Sequence, residues 1–209
     1  MSALKLTKLW VQKAITSSAL YGRALCPFAN KTVNSVPSKL RISLSSSISE
    51  DDLLAEVKSE IGMLIPADSS QPPHETTLLV VPQMFERNYH DMIKFSWKIM
   101  EAINSEESYM QKVQVVTFHP VAVTSLMALE APEEGHEYAI RSPHPTFHLL
   151  REEDILDVIK NSNYPQPELI PNRNSAMLQE LGADECKKRF HSLFVDAGVS
   201  TDGSCFNEN

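Results

Sequence analysis

Three short polar motifs carry the side chains with which this chain could do chemistry. They are Cys26-Pro27-Phe28-Ala29, Phe118-His119-Pro120, and the run Arg141-Ser142-Pro143-His144-Pro145-Thr146-Phe147-His148-Leu149-Leu150-Arg151. A thiol such as Cys26 becomes a nucleophile once an imidazolium, a guanidinium or a helix N-terminus lowers its pKa. His119 and His148 are the matching candidates for proton transfer, because an unperturbed imidazole titrates near neutral pH. Arg141, Ser142, His144 and Arg151 form a candidate substrate-binding set, in which two guanidinium forks would hold a carboxylate or phosphate. Cys26, His119 and His148, with His144 as a fourth ligand, would also suit zinc, but the three cysteines contain no CxxC pair. Neither a metal nor a cofactor is assigned.

Each candidate has a plainer reading. Cys26 follows a predicted helix, whose C-terminal dipole end disfavours a thiolate, so it is equally a small residue packed in a loop. The histidines are equally strand-terminal groups bonded to backbone carbonyls. Arg151 has Glu152, Glu153 and Asp154 beside it, and Arg141 has the acidic stretch 133–137.

Periodicity supplies the elements that must position these groups. Leu6, Leu9, Trp10 and Ala14 form a helical stripe over 4–20, and Pro27 keeps Cys26 in an extended loop. Leu40, Ile42 and Leu44 alternate as a short strand. Ser49 caps a helix with Glu50, Asp51 and Asp52 in its first turn. Thr76–Val81 is an uninterrupted apolar run suited to a central strand. Further spacing predicts a helix over 88–104, strands at 113–118 and 146–150, and a helix over 152–160. Val113, Val115 and Thr117 share a face with His119, while Thr146, His148 and Leu150 share a face in the last strand. If the two strands are neighbours, both histidines could converge at one edge, with Pro120, Pro143 and Pro145 stiffening the loops.

This order gives an α+β (or small α/β) fold, with about four strands and interleaved helices. We divide the chain into a core domain at 1–161, a Pro-rich linker at 162–172, a C-terminal helical appendage at 173–198 and a disordered tail at 199–209. The appendage could dock a protein partner.

The chain has 209 residues, a net charge of −8 and a pI near 5.4. Hydrophobic residues make up 42% and charged residues 22%, which suits a globular core and argues against disorder. The acidic balance argues against nucleic-acid binding, and no run is apolar enough to span a bilayer. Residues 1–49 hold seven basic and no acidic groups, leaving 12 basic against 27 acidic groups in the rest. Such a start is similar to an organellar transit peptide. The alternative is a first helix packed on an acidic remainder.

Several motifs recur in an order that goes beyond composition: Trp10, Leu25-Cys26-Pro27-Phe28-Ala29, Thr76-Thr77-Leu78-Leu79-Val80, Phe118-His119-Pro120, and Arg141-Ser142-Pro143 through His148-Leu149-Leu150-Arg151-Glu152. The series resembles an uncharacterised family of bacteria and plants, catalogued as a domain of unknown function, number fourteen-fifteen, over about residues 7–160. The resemblance implies a functional set at Cys26, His119, Arg141, Ser142, His148 and Arg151. It implies no activity. It also makes the basic start part of the domain, which favours a cytoplasmic protein with import as the alternative. The chain departs from the family pattern at Val121-Ala122-Val123-Thr124-Ser125 and at Ile140 and His144. Two functions follow as expectations: a Cys/His-dependent enzyme acting on a small anionic metabolite, or a non-catalytic module that binds a ligand or partner. Both require the Cys26 loop to fold against the late histidines and arginines.

Overall fold

A computed structural model describes residues 2–66, 74–124, 132–161 and 167–198. Within these residues a four-stranded mixed sheet lies between two layers of helices, the α+β architecture expected. The strands are β1 (Leu40–Leu44), β2 (Thr76–Val80), β3 (Val113–Phe118) and β4 (Thr146–Arg151), in the order β1-β2-β4-β3. β1 runs parallel to β2, and β4 is antiparallel to both β2 and β3. β2 and β3 are thus parallel, and the last strand fills the slot between them. The uninterrupted apolar run places β2 at the centre, where all five of its residues are buried.

One face is covered by α3 (Glu50–Leu64) and α4 (Tyr89–Asn104). Leu53, Val57, Ile61, Met92, Phe95 and Ile99 pack there on Leu79, Phe147 and Leu149. Ser49 caps α3 as predicted, its Oγ accepting the Asp52 N–H at 3.2 Å. The opposite face carries α1 (Ala3–Trp10), α6 (Ile170–Leu181) and α7 (Ala183–Ala197). The helix predicted over 4–20 is shorter than its apolar stripe. After Trp10 it widens into a π-helical turn at Val11–Ile15, with Thr16 N–H reaching back to Val11 O, and it ends there.

The C-terminal helices are integral to this second layer. Leu178, Cys186, Phe190 and Leu193 share one core with Leu6, Trp10 and Ala14. The segment read as a Pro-rich linker extends into structure: Pro171 sits in the first turn of α6, where its missing N–H costs nothing. Besides the single 3₁₀ turn at Pro167–Leu169, two short elements escaped the sequence reading. One is α2 (Ala29–Val33), just after the Cys26 loop. The other is a 3₁₀ turn at Gly135–Ala139, which lies so close to α6 that a Cβ on Gly135 would stand 2.1 Å from Leu178 O. The proposed tail at 199–209 and the first half of the linker lie outside the described residues.

Candidate functional site

β3 and β4 are neighbours, but their register separates the two histidines. Phe118 pairs with Thr146 and Thr117 with Phe147. Residues directly opposite in an antiparallel ladder share a face, so His148 lies on the face of Phe118, and His119 continues the face of Thr117 and Phe147. His148 therefore belongs to the α1/α6/α7 side and His119 to the α3/α4 side.

His119 is fully buried and fully bonded. Its Nε2–H donates to Phe85 O at 2.6 Å, and its Nδ1 accepts the Val121 N–H at 3.1 Å. Tyr89 packs on the ring at 5.4 Å. Burial drives its pKa down to about 4, against a smaller opposing effect of the Phe85 hydrogen bond. Phe85 itself has a φ of 63°, an unusual conformation for a bulky residue, and the imidazole holds its carbonyl in place. His119 thus matches the plainer reading, a histidine bonded to backbone.

His148 differs. The residue as a whole is half-buried, and its ring lies 6.2 Å from Phe118, which in turn meets Trp10 edge-to-face at 5.3 Å. The Thr76 Oγ1–H donates to Leu149 O at 2.9 Å, and His148 Nε2 lies 2.6 Å from the same Oγ1. A hydroxyl has one proton; with that proton given to the Leu149 carbonyl, Nε2 carries the one that joins it to Thr76, an assignment of tautomer from the hydrogen-bond network. Nδ1 is then a lone pair, and no described residue donates to it. Burial lowers the His148 pKa to about 4, which keeps the ring neutral. Around it on this face, Leu40, Ile42, Val116, Phe118 and Leu150 are also only half-buried, so the sheet is incompletely covered here.

Cys26 sits beyond the end of the first helix, its N–H donating to Ile15 O at 3.0 Å. Arg173 Nη2 bonds Ala24 O at 2.8 Å and Asn174 Nδ2 bonds Leu25 O at 2.8 Å, so α6 clamps the loop. Burial raises the thiol pKa above its ordinary value, partly offset by hydrogen bonds from the Phe28 and Ala29 backbone and by Arg173. The two amides belong to the start of α2, a contribution missed when Cys26 was read only as following a helix. Neither imidazole is among the groups acting on the thiol.

Both arginines are engaged by carboxylates. Arg141 is 4% exposed. It donates to Glu133, to Glu137 Oε2 at 3.1 Å and to Ala122 O at 3.2 Å, and its guanidinium lies 4.5 Å from the Tyr138 ring centre. Arg151 forms a fork with Asp154, at 2.6 and 2.8 Å, and reaches Glu153 at 2.9 Å. Ser142 Oγ–H donates to His144 O at 2.6 Å, and Thr146 Oγ1–H joins the same carbonyl at 2.8 Å, which stiffens the turn before β4. The His144 ring is half-buried, and burial lowers its pKa against the pull of Glu86. Among the described residues no group of three His, Cys, Asp or Glu side chains is placed to hold a metal ion, and no helix is long and apolar enough to cross a membrane.

The candidate site is thus smaller than the set read from the sequence: His148 at the centre, with Thr76, Phe118 and Trp10. Thr76 lacked a sequence signal, because only the β2–β4 register brings it to His148. The model of a family described as a protein of unknown function (DUF1415) matches residues 2–188, and the chain belongs to that family. The match runs through α6 into α7, in keeping with their packing on the core. No match to the chain is found among curated proteins or among solved structures.

Proposed function

We propose that the chain is a non-catalytic ligand-binding module whose recognition surface is the half-open sheet face around His148. The observation that carries this reading is the neutral imidazole joined through Nε2–H to Thr76, which leaves Nδ1 as an acceptor with no donor among the described residues. Beside it, Phe118 supplies an apolar wall. A flat, uncharged molecule that donates one hydrogen bond suits this combination. An anion suits it poorly, since a lone pair repels negative charge and Arg141 and Arg151 are already paired. The Cys/His enzyme is less well supported: burial raises the thiol pKa, no imidazole is among the groups that lower it, and a base of pKa about 4 is weak at neutral pH.

The test is a thermal-shift panel of neutral heteroaromatic amides and nucleobases, set beside dicarboxylates and phosphate esters. A ligand at about a hundred times its Kd adds about 2.7 kcal/mol, a readable rise in Tm. The proposal expects stabilisation by a neutral donor, lost in His148→Phe. Stabilisation by anions alone, or equally in wild type and variant, would contradict it.

A further inference from the structure

Trp97 stands on the side of α4 that faces away from the sheet. The buried stripe of that helix is Met92, Phe95, Ile99 and Ile103, and Trp97 lies across the helix from it, 61% exposed. It is the only exposed Trp, Tyr or Phe among the described residues, and none of those residues accepts from its indole N–H. Ile93 and Met100 stand one turn away on the same face, so the ring rises from an apolar collar. Exposed tryptophans with such collars are the side chains that most often anchor protein interfaces. An indole is also flat, uncharged and a donor of a single hydrogen bond. These are the properties that complement the bare Nδ1 of His148 and the wall of Phe118.

We propose that Trp97 of a second copy of this chain occupies the His148 face, its ring against Phe118 and its N–H donating to His148 Nδ1. This pairing rests on the recognition surface proposed above and names what fills it. Within one chain the two groups cannot meet, because Trp97 projects from the α3/α4 layer and His148 faces the α1/α6/α7 layer across the sheet. Charge favours the same pairing of layers between copies. Residues 2–39, which include α1, hold six Lys or Arg and no Asp or Glu, while α3 and α4 hold seven acidic residues against three lysines. Beside Trp97, Lys94 and Lys98 are ion-paired with Asp91 and Glu50, which leaves Glu101, one turn on, without a cation among the described residues. On the other layer Lys8, Arg23 and Lys31 have no carboxylate partner among the described residues. The remaining exposed apolar side chains, such as Leu156 and Ile159 of α5 (Glu152–Asn161), are aliphatic or thioether groups and have nothing to donate to Nδ1. The two surfaces differ, so the contact is head-to-tail and builds chains of copies unless a rotation closes a ring.

The experiment is sedimentation velocity on the full chain from about 10 μM to about 1 mM, the range suited to an interface built on a single anchor. Wild type should gain mass with concentration. Trp97→Ala and His148→Phe should each weaken association at least about tenfold, with Tm at low concentration checking that each variant folds. An equimolar mixture of the two variants should associate again but stop at pairs, because one supplies only the tryptophan and the other only the histidine face. Free indole should dissociate the wild type, which reads the site without a substitution, and should raise the Tm of Trp97→Ala but not of His148→Phe. A wild type that stays monomeric throughout would overturn the proposal. So would association that ignores either folded variant, or that free indole leaves intact. A monomer still stabilised by free indole or another neutral donor would leave the recognition surface standing with a different occupant. A monomer that none of them stabilises would remove both.

Discussion

Replacing His148 by glutamine should change the pH dependence of stability far more than stability itself. The glutamine amide keeps a donor near Thr76 Oγ1, so the variant should lie within about 1 kcal/mol of wild type at about pH 7. Acid separates the two. The folded-state pKa of His148 is about 4, below the 6.5 of an ordinary histidine. On acidification the unfolded chain therefore takes up the proton first. The stabilisation is complete above about pH 6.5 and is lost as pH falls through about 4. Integrating the two titrations from about pH 7 to about pH 4.5 gives a loss of about 2 kcal/mol that wild type suffers and the glutamine variant does not. Urea unfolding of both proteins at a series of pH values reads the difference directly. Their curves should diverge below about pH 6, with the variant becoming the more stable protein. Parallel curves would show that His148 is not a neutral imidazole held in the fold, and the derivation of its free nitrogen would fail with it.

Other substitutions probe the remaining candidates. His119→Ala should cost about 2–4 kcal/mol in chemical unfolding, since it strands the Phe85 carbonyl and the Val121 N–H and empties a buried site. A loss below about 1 kcal/mol would contradict its role as a backbone strut. Arg141→Met leaves Glu137 buried without its partner and should cost about 3–5 kcal/mol, while Arg151→Met, at a more open fork, should cost less. Gly135→Ala forces a methyl group onto Leu178 O and should destabilise by about 1–3 kcal/mol or more, with amide exchange in α6 rising first. Cys26 should react with maleimide more slowly at about pH 7 than an ordinary exposed thiol, because burial raises its pKa. Fast modification near neutral pH would revive the enzyme reading.

Most of the elements were legible because each is local. The stripe Met92, Phe95, Ile99 and Ile103 marks α4 within a residue of its observed start, Ser49 caps α3, and the Thr76–Val80 run is buried on both faces. What the residue pattern could not supply was a single integer, the register of β3 against β4. Slipping that pairing by one residue would have brought His119 to the face of His148 and made the proposed acid–base pair geometrically possible. The face assignments within each strand were sound; their combination was not determined. Cys26 was misjudged for a related reason. The five residues of α2 are too few to show a period, so the amides that reach the thiol left no trace in the pattern. The C-terminal helices looked detachable because Pro165, Pro167 and Pro171 read as a linker, although Pro171 can also open a helix. The plainer readings of Arg141 and Arg151 rested on neighbouring carboxylates visible in the chain, and the guanidinium groups are found paired as that proximity suggests.

The free acceptor nitrogen of His148 underlies the proposed function, and the state of its ring can be read directly. Long-range proton–nitrogen NMR of the histidine-labelled chain at neutral pH should show the His148 ring neutral, with the proton on Nε2 and a bare Nδ1. It should hold that form until the pH approaches about 4. A proton on Nδ1, or an imidazolium already forming near pH 6.5, the ordinary histidine value, would contradict the assignment and remove the recognition surface built on it.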